Sequence, residues 1–184
     1  KIQNSGHRVV DPQFLKLCDE LNTQNGRRVR VYKGHSTRAV SFSPSGNAVI
    51  TSCGDNALRL WDVVSGKVLR CFKGHSSIAR SVAYSSDGNY VLSGSDDGTI
   101  KLWSITTGEE LRRLEGHAGY VLSVAFSPSG QLILSSSADS TIKLWDVTTG
   151  KEVRSFDGHD GDVTSVAFSP DAKHILSGSW DHTI

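Results

Sequence analysis

The sequence is dominated by a unit that recurs about every 42 residues. The stretch at 97–117 reads DGTIKLWSITTGEELRRLEGH, and the stretch at 139–159, 42 positions later, reads DSTIKLWDVTTGKEVRSFDGH. Gly-His pairs at 34–35, 74–75, 116–117 and 158–159 are spaced by 40, 42 and 42 residues. Repetition at a fixed period of tens of residues indicates one structural unit copied along the chain. This unit, more than any single motif, constrains the fold.

Tryptophans and aspartates keep the same period. Trp61, Trp103 and Trp145 are spaced by 42 residues, and an aspartate stands six positions before each of them. Asp181 occupies the aspartate position of a fourth copy, whose tryptophan would fall beyond Ile184. We therefore expect three complete units followed by a partial one, within a chain that is a piece of a longer protein.

Each unit divides into four short strands. Between residues 117 and 159, the runs YVLSVAFS, QLILSSS, TIKLWDV and EVRSF are separated by the turn-forming sequences SPSG, ADST and TTGK. Apolar residues are nearly continuous in the first three runs, which is typical of sheets that are covered on both faces. No ten-residue stretch of the repeats has helical periodicity. The units therefore predict small four-stranded sheets stacked around an axis.

The composition excludes several functional classes. The 184 residues are 37% hydrophobic and 21% charged, with a formal net charge of +1, as in an ordinary globular chain. This charge gives no general reason to expect nucleic acid or a membrane surface as partner. No apolar run approaches the roughly 18 residues of a membrane span. The three cysteines are an odd number without metal-type spacing, which favours a reducing compartment, cytoplasmic or nuclear.

These features together resemble the WD-repeat family. The chain resembles it over residues 26–184, with a Gly-His pair opening each unit and Leu-Trp-Asp closing two of them at 60–62 and 144–146. The resemblance implies an all-β fold, a β-propeller of four-stranded antiparallel blades, present here as a partial ring. Ser104 replaces the aspartate after one tryptophan, and the loop after His35 is two residues shorter than its equivalents.

The expected blades cover about residues 36–73, 77–115 and 119–157, with a partial blade at 161–184. Residues 1–25 have two interpretations. LKLCD at 15–19 aligns with IKLWD at 142–146, which indicates a degenerate partial blade. Alternatively, Asp11 caps a helix that begins at Pro12 and ends at Leu21. Both interpretations remain open at this point.

A serine or threonine stands four residues before the aspartate of each unit, so every unit carries the components of a Ser-His-Asp triad. A nucleophilic site needs a single hydroxyl activated by one base beside an oxyanion hole. This set is copied in every unit, and no Gly-x-Ser-x-Gly elbow accompanies it. We therefore expect no catalytic residue. We also expect no metal site, because one imidazole per unit cannot form a tetrahedral ligand set.

The resemblance implies a structural role for this set instead. In WD-repeat proteins the tryptophan, the hydroxyl, the histidine and the aspartate form a hydrogen-bonded tetrad that ties the third strand to the second and to the loop entering the first. This order gives each buried polar group a partner. The tetrads assigned by resemblance are Trp61, Thr51, His35 and Asp55; Trp103, Ser93, His75 and Asp97; Trp145, Ser135, His117 and Asp139; and, without a tryptophan, Ser177, His159 and Asp181.

The resemblance also implies a binding surface, the loop face, formed by the Gly-His loops and by the turns between second and third strands. Each blade would present there the residue before its tetrad aspartate and two residues near the start of its first strand. These positions vary between otherwise similar units, and Trp180 stands where other units have Gly54, Asp96 and Ala138. The partner-binding residues predicted in this way are Trp180, Tyr120, Ile78, Arg80, Asp162, Asp96, Arg38 and Leu122.

The sequence therefore predicts a non-enzymatic scaffold without cofactors that binds a protein or peptide on its loop face and assembles a complex. The remaining blades would come from the rest of a longer chain. A second hypothesis is a sensor propeller that recognises a ligand inside a larger multidomain signalling or effector protein.

Overall fold

Each repeat forms an antiparallel sheet in which consecutive strands are neighbours. The computed structural model describes residues 36–184, and 14 strands and no helix lie within this range. The sheets, called blades 1 to 4 in chain order, have four, four, four and two strands, and each strand is hydrogen-bonded to the next one along the chain. The all-β prediction of four-stranded blades in a partial ring is confirmed.

The strand bounds repeat from blade to blade. Blade 1 consists of β1 (Thr37–Phe42), β2 (Ala48–Cys53), β3 (Leu58–Asp62) and β4 (Val68–Phe72). Blade 2 consists of β5 (Ala79–Tyr84), β6 (Tyr90–Ser95), β7 (Ile100–Ser104) and β8 (Glu110–Leu114). Blade 3 consists of β9 (Val121–Phe126), β10 (Leu132–Ser137), β11 (Ile142–Asp146) and β12 (Glu152–Phe156). Blade 4 consists of β13 (Val163–Phe168) and β14 (Ile175–Ser179).

The first strands of neighbouring blades contact one another, β1 with β5, β5 with β9 and β9 with β13. The second strand of blade 2, β6, is buried at every position except its first, Tyr90. A strand buried on both faces explains why its sequence does not alternate between apolar and polar residues.

Apolar side chains fill the spaces between the blades. One cluster joins Ile50 and Leu58 of blade 1 to Val82 and Trp103 of blade 2. Equivalent clusters lie between blades 2 and 3, around Trp145, and between blades 3 and 4. The tryptophan that closes each repeat is therefore core, and Trp103 and Trp145 are each only 1% exposed.

The glycine of the Gly-His pair is needed where the loop crosses the tryptophan. Gly116 has a φ of +153°, and a Cβ at this position would lie 3.1 Å from the Cη2 atom of Trp145. Gly74 has the same relation to Trp103, also at 3.1 Å. A larger residue would be strained and crowded, so the glycine lets the loop cover the ring closely.

Arginines of the outermost strands also join neighbouring blades. Arg70 on β4 donates hydrogen bonds to the carbonyls of Thr106 and Thr107, both at 2.8 Å, in the turn between β7 and β8. Arg112, in the same register on β8, donates to the carbonyl of Thr148 in the corresponding turn of blade 3. Blade 1 is thus attached to blade 2, and blade 2 to blade 3, at their outer edges.

Some of the predictions fall outside the described residues. These are both interpretations of residues 1–25, the beginning of the first repeat, and His35 of the first tetrad. No helix of residues 36–184 could cross a membrane.

Candidate functional site

The tetrad side chains of blade 2 form a continuous series of hydrogen bonds. The Trp103 indole N–H donates to the Ser93 hydroxyl at 2.8 Å, and that hydroxyl lies 2.7 Å from Nε2 of His75. Nδ1 of His75 lies 2.8 Å from Oδ2 of Asp97. The serine can donate to Nε2 only if the imidazole proton is on Nδ1, so the aspartate fixes this tautomer. Blade 3 repeats the series with Trp145, Ser135, His117 and Asp139 at 2.8, 2.8 and 2.9 Å.

A threonine two residues after the aspartate extends this network and was missed from the sequence. The Thr99 hydroxyl donates to Asp97 at 2.6 Å, and its backbone N–H donates at 3.0 Å. The backbone N–H of Ser76, next to the histidine, donates to the other carboxylate oxygen at 2.9 Å. Thr141 and Thr183 make the same contacts in blades 3 and 4. The signal was in the sequence, where DGT, DST and DHT recur at the period of the repeat.

These contacts determine the charge states of the network. Burial lowers the pKa of His75 and of His117, despite the opposing effect of the neighbouring carboxylates. Burial alone would raise the pKa of Asp97, but hydrogen bonds from Thr99 and His75 lower it to about 2. The pKa of Asp139 is lowered to about 2 in the same way. A neutral imidazole beside an ionised carboxylate is therefore the form that the fold stabilises.

Blades 1 and 4 contain parts of this arrangement. The Trp61 indole donates to the Thr51 hydroxyl at 2.9 Å, while Asp55 pairs with Arg59 on β3 at 2.6 Å. In blade 4, His159 lies 2.7 Å from Asp181 and 2.9 Å from the Ser177 hydroxyl.

The tetrad hydroxyls and imidazoles are enclosed within the blades. The Ser93 and Ser135 residues are fully buried, and the histidine side chains beside them are at most 1% exposed. A substrate could not reach these hydroxyls without opening the blade. Within residues 36–184, no group of three or more His, Cys, Asp or Glu side chains is placed to hold a metal ion.

The predicted binding positions are brought together in pairs on the loop face. The backbone N–H of the residue before each tetrad aspartate donates to a carbonyl near the start of the first strand. These bonds run from Gly54 to Ser36, from Asp96 to Ile78, from Ala138 to Tyr120 and from Trp180 to Asp162, at 2.7 to 3.0 Å. The two variable positions of each blade are thus adjacent.

The side chains at these positions differ in exposure. Trp180 is 70% exposed and Tyr120 is 52% exposed, whereas the other three tryptophans of the chain are buried. Arg38 is exposed as well. Ile78, Leu122 and Asp162 are partly buried. Two aromatic side chains are therefore available on the loop face.

Arg80 and Asp96, both predicted to contact a partner, bind each other. The Arg80 guanidinium donates from Nε and Nη2 to the two carboxylate oxygens of Asp96, the second bond at 2.9 Å. The guanidinium carbon also lies 5.6 Å from the ring centroid of Tyr120 on the next blade. The hydrogen bonds to Asp96 raise the pKa of Arg80. This arginine is held between an acid and an aromatic ring, an arrangement that sequence reasoning did not predict.

A cavity of about 510 Å³ lies at the opposite end of blades 1 and 2. Its lining includes Pro44, Gly88 and Tyr84, which stands where the other units have phenylalanine. The Tyr84 hydroxyl is buried and has no hydrogen-bond partner among the described residues, and burial raises its pKa to about 12.

Comparison with known proteins agrees with the geometry of the repeats. The model of the WD domain, G-beta repeat matches residues 26–62, 66–104, 108–146 and 150–184. The chain belongs to the WD-repeat family. Its WD repeats align with the solved structures of U3-55K and of the RRP9 WD40 repeats, each with a TM-score of 0.72 and 30% sequence identity. These alignments cover 74% of this chain and 44% of each structure.

Relatives that share parts of these WD repeats have varied names. Eukaryotic translation initiation factor 3 subunit I of Phaeosphaeria nodorum is 35% identical over 63 residues, which are 33% of this chain and 19% of the relative. Nuclear distribution protein PAC1 of Arthroderma otae is 32% identical over 74 residues, 36% of this chain and 16% of the relative. The matches thus span less than a fifth of either relative.

Proposed function

We propose that this chain is a non-enzymatic docking platform that binds a protein or peptide on its loop face. The observation that carries the proposal is the exposure of Trp180, 70% of whose surface is accessible at a turn where the other blades have Gly54, Asp96 and Ala138. A blade does not need a tryptophan at this position. Exposed aromatic residues contribute strongly to protein interfaces when a partner buries them.

The scaffold around Trp180 supports this role. Binding residues are commonly carried on loops that a rigid framework holds in place. Here the tetrads fix the Gly-His loops, and a backbone hydrogen bond of 3.0 Å fixes the turn that carries Trp180. The platform can therefore present side chains without the entropic cost of ordering its own loops.

The names of the relatives support the proposal that this chain helps to assemble a protein complex. One relative is by its name a subunit of a translation initiation factor, and others are nuclear distribution proteins. We propose a cytoplasmic or nuclear location for this chain, in agreement with the free cysteines Cys53 and Cys71.

Peptide display on the immobilised chain tests the proposal. Peptides selected from a random library should lose about 2 kcal/mol or more of binding free energy with the Trp180→Ala variant, because the aromatic anchor is lost. Val64→Ala is the matched control, since Val64 is 73% exposed in the turn between β3 and β4, at the opposite end of the blades. Equal binding to the Trp180→Ala variant and to the unmodified chain would show that the loop face is not the docking surface.

A further inference from the structure

The chain contains its own example of how an acid and an aromatic ring hold an arginine on the loop face. Arg80 donates two hydrogen bonds to Asp96 and lies over the ring of Tyr120, 5.6 Å from its centroid. A guanidinium suits such a place because its planar fork matches a carboxylate while its flat face stacks on an aromatic ring.

Blade 4 has an acid and an aromatic ring without an arginine, with the acid at the position of Ile78 and the ring at the position of Asp96. Asp162 and Trp180 are adjacent, since the backbone N–H of Trp180 donates to the Asp162 carbonyl at 3.0 Å. Thr164 occupies the sequence position that Arg80 has in blade 2, and its hydroxyl donates to the Gly178 carbonyl at 3.1 Å. Within residues 36–184 the Asp162 carboxylate makes no hydrogen bond and no ion pair. The Arg80 guanidinium attracts it electrostatically, but that guanidinium is bound to Asp96.

We propose that Trp180 and Asp162 bind an arginine side chain of the partner, with the guanidinium held by the Asp162 carboxylate and stacked on the Trp180 indole. This inference rests on the proposed function and specifies its partner as a peptide segment that carries an exposed arginine. The partner's arginine would lie between an acid and an aromatic ring, as Arg80 of this chain lies between Asp96 and Tyr120.

The complementarity favours arginine over lysine. A lysine ammonium is a compact, strongly hydrated charge and cannot bond a carboxylate through two parallel N–H groups. Arginine can do so and can also stack on an indole, the aromatic ring that attracts cations most strongly. A citrulline side chain keeps the shape of arginine but has no charge, so it separates the electrostatic contribution from the contact area.

Nuclear magnetic resonance of the full chain can test this inference, because the Trp180 indole N–H has no bonded partner among the described residues. The indoles of Trp61, Trp103 and Trp145 donate to tetrad hydroxyls and serve as internal references. The probe is the peptide acetyl-Gly-Arg-Gly-amide, with the lysine and citrulline peptides measured in parallel. We expect the arginine peptide to shift the Trp180 indole signal and to bind at least about tenfold more tightly than either analogue.

Two variants test whether the Asp162 carboxylate binds the arginine peptide. Asp162→Asn should weaken binding of the arginine peptide by about tenfold, because the charge-assisted hydrogen bonds are lost. Asp157→Asn removes the same charge from an exposed position of the same loop and should leave the affinity within about twofold, since salt screens an exposed charge that does not bind the guanidinium. Unchanged binding to Asp162→Asn, or equal binding of the arginine and lysine peptides, would overturn the inference.

The display experiment separates this inference from the proposed function. If selected peptides depend on Trp180 but bind equally well after each arginine is replaced by citrulline, the arginine inference is wrong and the docking platform stands. If the selected peptides do not depend on Trp180, both are wrong.

Discussion

Blades 1 and 2 have the same strand pairing but different polar contacts around the third strand. Thr51 pairs with Arg59 in blade 1 as Ser93 pairs with Lys101 in blade 2, and both sheets have an irregularity near the start of the first strand. Yet blade 1 has Ala57 where blade 2 has Thr99. The backbone arrangement therefore does not depend on one particular polar network.

The partners of the cation on the third strand differ as well. The ammonium of Lys101 in blade 2 pairs with Glu110 on β8, whereas blade 1 has Val68 at that position of its outermost strand. Arg59 pairs instead with Asp55 in the turn before β3. The comparison indicates that apolar packing between blades sets the strand register, and that the polar contacts adjust the stability of each blade.

The largest effect is expected from the apolar residue that the two blades share. Trp103 lies in the cluster between them, with its ring centroid 5.9 Å from that of Phe72. Trp103→Ala should lower the free energy of unfolding by about 3–5 kcal/mol, because a large cavity would form in the core. Trp180→Ala, measured by the same urea titration, should change it by less than about 0.5 kcal/mol. Equal losses for both variants would contradict the distinction between core and loop face.

Removal of the tetrad carboxylate should lower the free energy of unfolding more in blade 2 than in blade 1. Asp97→Ala should cost about 1–3 kcal/mol, because the buried His75 side chain and two backbone N–H groups lose their acceptor. Asp55→Ala should cost less, since the Asp55 side chain is 37% exposed and no hydroxyl stands at Ala57. Urea unfolding of both variants would measure the difference. A larger loss for Asp55→Ala would show that the network of blade 1 is at least as important.

A smaller effect is expected from the threonine that blade 1 lacks. Thr99→Ala should cost about 1 kcal/mol, because its hydroxyl donates to Asp97. Ala57→Thr, the converse exchange in blade 1, should raise stability by less than about 1 kcal/mol, by adding a donor near Asp55. Thermal unfolding of the two variants measures whether stability falls with Thr99→Ala and rises with Ala57→Thr. Loss of stability in both cases would mean that the space around Ala57 does not accept a hydroxyl.

Mild acid should have the smallest effect. Burial lowers the pKa of His75 in the folded chain, so the unfolded chain binds more protons and stability falls as the pH falls through the unfolded value of about 6.5. The loss between about pH 8 and pH 6 should be under about 1 kcal/mol per buried histidine. Below about pH 4 the loss should steepen, because the pKa of Asp97 is lowered to about 2 in the folded state. Stability that rises on acidification would contradict the lowered pKa values of His75 and Asp97 in the folded chain.

Much of the fold could be predicted because the sequence repeats itself. The period of the Gly-His pairs, the tryptophans and the turn residues fixes the number of strands per blade, and strands as short as five or six residues leave little freedom in register. The pairs of loop-face positions followed from the same alignment. In the structure, Asp96 is next to Ile78, and Trp180 is next to Asp162.

Contacts between side chains of different blades could not be predicted in this way. Arg80 was interpreted as a residue that contacts a partner, and only the structure shows it bound to Asp96 and placed over the ring of Tyr120 of the next blade. Aligning the repeats shows which residues occupy equivalent positions. It does not show which side chains of neighbouring blades are close enough to contact each other. The role of Thr99 is different, because a threonine recurs two residues after the tetrad aspartate in three of the repeats and could have been predicted from the sequence.

The arginine bonds at the outer edge have a consequence for how such arrays change in evolution. Blade 2 carries one half of each junction, the turn of Thr106 and Thr107 that accepts from Arg70 and the donor Arg112 that binds the next blade, so duplicating this repeat would copy a donor and an acceptor turn at once. The acceptors are backbone carbonyls, and the turn can therefore accept mutations in its side chains without losing the bond. A new blade created by recombination between two copies would arrive already able to join its neighbours, which allows the number of blades to vary while the surface residues diverge.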